Sequence, residues 1–393
     1  MPNFDLLLRG GTVIDPATDL AAQRDVAVVG GRIAMICEPA ADNSARKVID
    51  VSGLYVVPGL IDFHVHVFPG VSHYGLDADS TCLARGVTTA VDFGSAGSLI
   101  FDGFRKFVLD RAQTQLYALL HIAGPGMISG RETLPPLGEL TDLRYCNVEN
   151  VIATVERHRD RIVGIKIRLT AGLAEDGKNE APGLELARRA ADETNLPLFV
   201  HSPGSSLAMS DVLAQLRDGD VLTHCYHGRP CGIVDESQQL LPVVRDKLGD
   251  GLLMDVGHGV GSFSFAVARR MLDAGVIADF ISSDIHHYNF HGPVFDLLTT
   301  MDKFLHLGMG LPDLIRRTTL NPAKFLGRQD EIGTLRAGAV ADITVLELTE
   351  GEFPLTDSYG NTEIAGRHLE PRLVFRAGRR TGILPRPASV AAE

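Results

Sequence analysis

Nowhere does the chain contain an apolar run approaching the ~20 residues that a membrane-spanning helix needs. Its first residues, MPNFDLLLRGG, lack the basic start, apolar core and small-residue cleavage site of a secretory leader. A cytoplasmic location with no membrane partner is therefore expected. Basic charge is short as well: 37 lysines and arginines face 49 acidic residues, a formal net charge of −12. That balance argues against nucleic acid or an anionic membrane surface as partner. Cysteine is sparse, and Cys37, Cys82, Cys146, Cys225 and Cys231 are scattered with no C-x-x-C pair. Reduced thiols are expected. Short internal repeats and low-complexity segments are also missing.

What remains is the composition of a soluble globular protein, 45% hydrophobic and 22% charged. A length of 393 residues allows one large barrel with an accessory domain, or two or three ordinary domains. Residues 4–57 read as short strands broken by Gly10-Gly11 and Gly30-Gly31, which supply turns where positive φ is needed. The tail repeats that texture in GTLRAGAVADITVLEL (333–348) and RLVFRAGR (372–379). Residues 1–56 and 330–393 are therefore expected to join in one small β-sandwich domain.

Between them, residues 57–329 alternate short apolar runs with helical stretches, the βαβ signature of a parallel sheet. Eight such runs can be marked: 60–67, 88–94, 115–124, 161–169, 196–202, 220–227, 251–258 and 279–286. Eight strands in a segment of this size predict a (β/α)8 TIM barrel, whose chemistry lies at the C-terminal strand ends. There the polar residues fall. Run one ends in His64-Val65-His66, run four holds Lys166, run five ends at His201, run six carries His224, and run eight carries Asp284. A His-x-His pair on a strand points both rings the same way, because side chains alternate with period 2. Taken singly, a strand-end histidine is usually a hydrogen-bonded structural residue, a lysine in GIKI a snorkelling one, and an aspartate after two serines a helix cap. The combination in one order is what points to a metal site.

With LLLRGGTVIDP, VVPGLIDFHVH, TLNPAKFLG and GTLRAGAVADITVL, the chain resembles the amidohydrolase superfamily, in its dihydroorotase-like branch with two metals. The resemblance covers nearly the whole chain. It implies that His64, His66 and Asp284 bind one ion and His201 and His224 the other. Lys166, carboxylated on its side chain, would bridge them. An ammonium cannot sit between two divalent cations, whereas a carbamate is an anionic bidentate ligand, and burial supplies the neutral amine that captures CO2. The implied nucleophile is a hydroxide bridging the ions, with Asp284 as catalytic proton carrier. Zinc is the expected metal, with manganese or iron as alternatives. Within the superfamily, HVHVFPG (64–70), DVGHGVGSFSF (255–265) and DLLTTMDKFLHLGM (296–309) are similar to the deacetylase/esterase group formerly labelled dihydroorotase.

Substrate contacts are sought nearby. Arg168 lies two residues past Lys166 on the same strand face, placed to receive a substrate carboxylate or to pair with an acidic loop. Tyr226, His227 and His258 follow strand ends and are expected to line the pocket or cap helices, and His286 to support Asp284. His73 and Tyr74 are candidate lid residues. His121, His158, His291, His306 and His368 read as structural or exposed. Dihydroorotases follow the His-x-His pair with a leucine and an arginine that grips the substrate carboxylate. Here Val67-Phe68-Pro69-Gly70 follows instead, and Phe68 is expected to form an apolar wall. The expected activity is hydrolysis of an acyl ester or acylamide, such as an acetylated hydroxy or amino acid, by a homo-oligomeric enzyme with a small-molecule substrate. The alternatives are a cyclic amidohydrolase of the dihydroorotase or hydantoinase type, and a non-catalytic scaffolding homologue.

Overall fold

The structure, a computed structural model, describes residues 4–38, 45–130, 133 and 137–386. Five strands open the chain: β1 (Phe4–Asp15), β2 (Leu20–Val29), β3 (Arg32–Cys37), β4 (Ala45–Asp50) and β5 (Tyr55–Pro58). Seven follow at longer intervals: β6 (Leu60–Val65), β7 (Val87–Gly97), β8 (Gln115–His121), β9 (Ile162–Arg168), β10 (Leu198–His201), β11 (Val221–Thr223) and β12 (Leu253–Asp255). The chain closes with β13 (Ile343–Thr356), β14 (Thr362–Arg376) and β15 (Arg379–Arg380).

The first and last groups form one mixed sheet in the order β15-β14-β13-β5-β1-β2-β3, with β4 paired to β1. Val13, Val26, Val28 and Val56 from one end pack with Ile343, Val345 and Phe375 from the other. A sandwich of two sheets was expected; all eight strands instead belong to one hydrogen-bonded sheet. It reaches to Pro58, because β5 pairs with both β1 and β13. Gly30 and Gly31, with φ of +56° and +77°, turn β2 into β3 as expected. Gly10-Gly11 is no turn: it lies inside β1, where Gly10 (φ +77°) makes a bulge between Leu8 and Gly11.

β6 to β12 form a seven-stranded parallel sheet in sequence order. One apolar cluster combines Phe63, Phe93, Leu119, Phe199 and Val221 with Val163, Leu253 and Phe280. All seven strands contribute to it, which requires the sheet to curl until one face meets itself. Helices such as Glu180–Thr194 pack outside, burying Leu184, Ala187 and Ala191. Among the described residues no helix is long and apolar enough to cross a membrane.

The eighth expected run, 279–286, is not a regular strand. It touches both sheet edges through single bridges, Asp255 to Phe280 and Val65 to Ile285. Asp284 N donates to His64 O at 2.8 Å, and His258 N donates to Ser282 O at 3.2 Å. Side chains do the remaining work of the ladder. Ser283 Oγ donates to Asp62 on β6, and Ser282 Oγ donates to Asp255 on β12, each at 2.5 Å. Asp284 itself is left-handed at φ +49°, which breaks the extended backbone there.

Candidate metal centre

The six residues singled out by pattern converge at one end of the curled sheet. His64 and His66 present Nε2 to the same atom, Asp284 Oδ1, at 3.3 and 3.2 Å. One ligand-type atom each from His64, His224 and Asp284 lies within 4.8 Å of the others. The His201 ring is 4.4 Å from that of His224. Lys166 and five others line a cavity of about 130 Å³ together with Tyr74, Met127, Arg168 and Arg229.

The far side of each ring is already held. His64 Nδ1 is 3.0 Å from Asp255 Oδ2, a carboxylate fixed in turn by the Thr223 and Ser282 hydroxyls. His66 Nδ1 meets Ser95 Oγ at 3.0 Å, and His224 Nδ1 donates to Gly257 O at 2.6 Å. His201 Nε2 meets Thr170 Oγ1 at 3.3 Å, which leaves its Nδ1 for the centre. Outer partners of this kind orient a metal-binding histidine and set its tautomer. Gly257 makes the approach possible: a Cβ there would stand 2.8 Å from the Nδ1 atoms of both His64 and His224. His224 is left-handed at φ +63°, as is Asp284, so two of the six side chains hang on unusual backbone.

Burial sets the protonation states. It holds His64, His201 and His224 well below the usual histidine range and His66 at about 3, keeping all four rings neutral. Burial also lowers Lys166 to about 7 against the opposing pull of Asp284 and Asp255, and raises Asp284 to about 6. Lys166 Nζ is buried with no hydrogen-bond partner, 4.8 Å from the Phe93 ring centre, and Asp284 Oδ1 has only the two histidine Nε2 atoms beside it. Neutral nitrogens, a carboxylate and a part-neutral lysine around a polar cavity form a donor set that fits divalent cations.

Other expected contacts fall differently. His286 lines the cavity with its ring 4.4 Å from Tyr74, and His73 stacks on Tyr74 at 4.1 Å. Arg168 pairs with Glu139 at 2.5 Å and donates to Tyr74 Oη at 3.0 Å, taking the acidic-loop option. Tyr226 is outside the cavity: its hydroxyl donates to Val276 O and accepts from Ala278 N. His258 is outside too, stacked on Phe263, with Nε2 2.6 Å from Lys303 Nζ. Phe68 is no cavity wall; it packs into the core against Phe104 at 4.6 Å. The backbone turns after Val67, and Ser72 N donates back to Phe68 O.

Several residues were missed. Asp255, which holds the His64 ring, sits near the end of its run, so a search for partners of the histidines had a signal to find it; Asp62 and Asp92 instead fix backbone beside the site, accepting from Ser283 N and from Val67 N. Arg229, Met127 and the 260–262 segment come from loops whose course no local pattern encodes.

The chain is similar along most of its length to proteins of known kind. A deacetylase of Agrobacterium fabrum is 31% identical over 349 residues, covering 88% of this chain and 84% of its own. A deacetylase of Enterococcus faecalis is 32% identical over 375 residues, covering 94% and 96%. Among solved structures, an adenine deaminase superposes with a TM-score of 0.87 at 31% identity, covering 97% of this chain and 100% of that one. A dihydroorotase gives 0.88 at 28% identity, covering 98% and 99%. The amidohydrolase family profile matches residues 55–381, and with that span added to deacetylases aligned along most of the chain, the protein belongs to the amidohydrolase family.

Proposed function

We propose that this hydrolase removes a small acyl group from an ester or amide, using a two-metal centre built on His64, His66, Lys166, His201, His224 and Asp284. The observation that carries the reading is the buried, unpartnered Lys166 Nζ amid four neutral histidines and a carboxylate. In this reading His64, His66 and Asp284 hold one ion and His201 and His224 the other. Lys166, once its ammonium has lost a proton, forms an N–C bond to CO2 and releases a second proton to solvent; the resulting carbamate would help hold both ions, which accounts for a buried lysine at this position. Two divalent ions, when bound, acidify water and polarise a carbonyl oxygen. Asp284 takes up the proton released in the attack at its carboxylate and returns it to the leaving oxygen or nitrogen. Segment 279–286 completes an eight-position barrel, and residues 1–56 with 330–393 act as one accessory unit beside it.

The acyl reading is supported by the two deacetylases, each more than 30% identical to this chain over most of its length. It also fits the cavity, whose about 130 Å³ equals roughly four waters at ~30 Å³ each and suits a small acyl group. A cyclic-amide reading has two specific supports, the superposition on a dihydroorotase and a dihydroorotase of Trichlorobacter lovleyi that is 44% identical over 401 residues. The position after His66 opposes it, since Val67 and Phe68 stand where that activity calls for an arginine.

The test is a side-by-side kcat/KM for an acetylated α-hydroxy acid, an N-acetyl amino acid, dihydroorotate, a hydantoin and adenine with zinc-loaded enzyme. Turnover of an acetyl compound with feeble ring opening is expected. Efficient turnover of a ring substrate with none of the acetyl compounds would overturn the assignment.

A further inference from the structure

Arg168 and Arg229 are the two arginines of the cavity wall, and they are not equivalent. Arg168 is buried and neutralised by Glu139, whose carboxylate meets it at 2.5 Å. A substrate anion would have to displace that partner. Arg229 is exposed, and no ion pair with an acidic side chain is found for it among the described residues.

Exposed arginines are ordinary, but the backbone that carries this one is fixed by side chains, and its guanidinium lies on a neighbouring loop. Its backbone N–H donates to His227 Nδ1 at 3.0 Å, an acceptor that burial lowers to about 4 and so keeps neutral. The preceding Gly228 N–H donates to Tyr359 Oη at 2.7 Å. The same hydroxyl donates to Gly261 O at 3.4 Å, so Tyr359, from the turn joining β13 to β14, ties the 228 loop to the 261 loop. The guanidinium lies against Gly261, where a Cβ would stand 2.3 Å from Nη2 and 2.9 Å from Cζ.

We propose that Arg229 is the specificity-determining cation of the site, binding a carboxylate on the leaving-group side of the substrate, with Tyr359 as its positioning residue. This rests on the proposed acyl hydrolysis, which it narrows. A guanidinium meets a carboxylate with two parallel N–H···O bonds, and losing a charge-assisted contact of this kind costs roughly ten- to a hundredfold in affinity.

The experiment compares kcat/KM for an acetylated α-hydroxy acid and its primary carboxamide in the zinc-loaded wild type, Arg229→Met and Arg229→Lys. The acid-to-amide ratio is expected to fall at least tenfold in Arg229→Met, through KM, and to be partly restored by lysine. Tyr359→Phe should lower the same ratio less. An unchanged ratio in Arg229→Met would overturn the proposal. If no acetylated compound is turned over, acyl hydrolysis fails separately, and the melting temperature of the zinc-loaded protein is read with small carboxylic acids and their amides. A shift with the acids that disappears in Arg229→Met supports the anion site; equal shifts in both proteins overturn it.

Discussion

Asp255 Oδ2 stands 3.0 Å from His64 Nδ1, so the carboxylate at the end of β12 fixes the ring at the end of β6 across the curled sheet. Burial holds Asp255 at about 7, with the Ser282 and Thr223 hydroxyls opposing the rise. A partner of this sort makes the ring nitrogen facing the metal a better donor. Asp255→Asn should therefore weaken zinc binding or turnover by roughly ten- to a hundredfold without unfolding the protein. Competition with a chelator, alongside a melting curve, measures both; unchanged affinity would remove Asp255 from the account.

Lys166 gives the second expectation. Its replacement by alanine would remove the proposed bridging carbamate, so metal content and most turnover should be lost together. A short carboxylate such as acetate or propionate should restore part of each. Growth with 13C-bicarbonate should give a carbamate resonance in the wild type that Lys166→Ala lacks. Full metal content in the alanine variant without added carboxylate would rule out the bridge.

Asp284 gives the third. Its Oδ1 is shared by His64 and His66 and has no other partner, so in the proposed roles an amide there would lose both the ligand charge and the proton acceptor. Asp284→Asn should lower kcat by at least the ~10²–10⁴ expected for a missing acid–base group. KM should change far less. Near-normal turnover would contradict the assignment.

Lys303 gives a prediction about stability away from the metal centre. It is wholly buried, with Nζ against His258 Nε2 and Pro293 O and the charges of Asp296, Asp302 and Asp357 nearby. Burial lowers it from 10.5 to about 7. Between those values the unfolded chain binds the proton that the folded chain has released, so this lysine makes stability rise with pH there, by at most ~1.4 kcal/mol per pH unit. Below about 7 the penalty is felt in full. Lys303→Met removes this contribution, so the gain in melting temperature from pH 7 to pH 9 should be smaller than in the wild type. An equal gain in both proteins would show that Lys303 titrates normally.

The parts of this fold legible in the sequence are those with a short period. The first seven apolar runs overlap the seven parallel strands, and period-2 alternation is why His64 and His66 share a face. Legibility ended where the backbone leaves the extended region. His224 at φ +63° and Gly257 at φ +45° rotate the chain, so counting onward to Tyr226 and His258 misplaced both. The same holds for run eight, where serine side chains replace ladder hydrogen bonds, and for Phe68, which the turn after Val67 carries into the core. Arg229 was invisible because its position depends on Gly261 and Tyr359, which are distant in sequence.

The most direct test of the central claim is the metal content of the purified chain after growth with added zinc. Elemental analysis should find two zinc ions per chain in the wild type, with activity lost on chelation and regained as both are restored. A fully folded protein that binds no metal under these conditions would contradict the two-metal account.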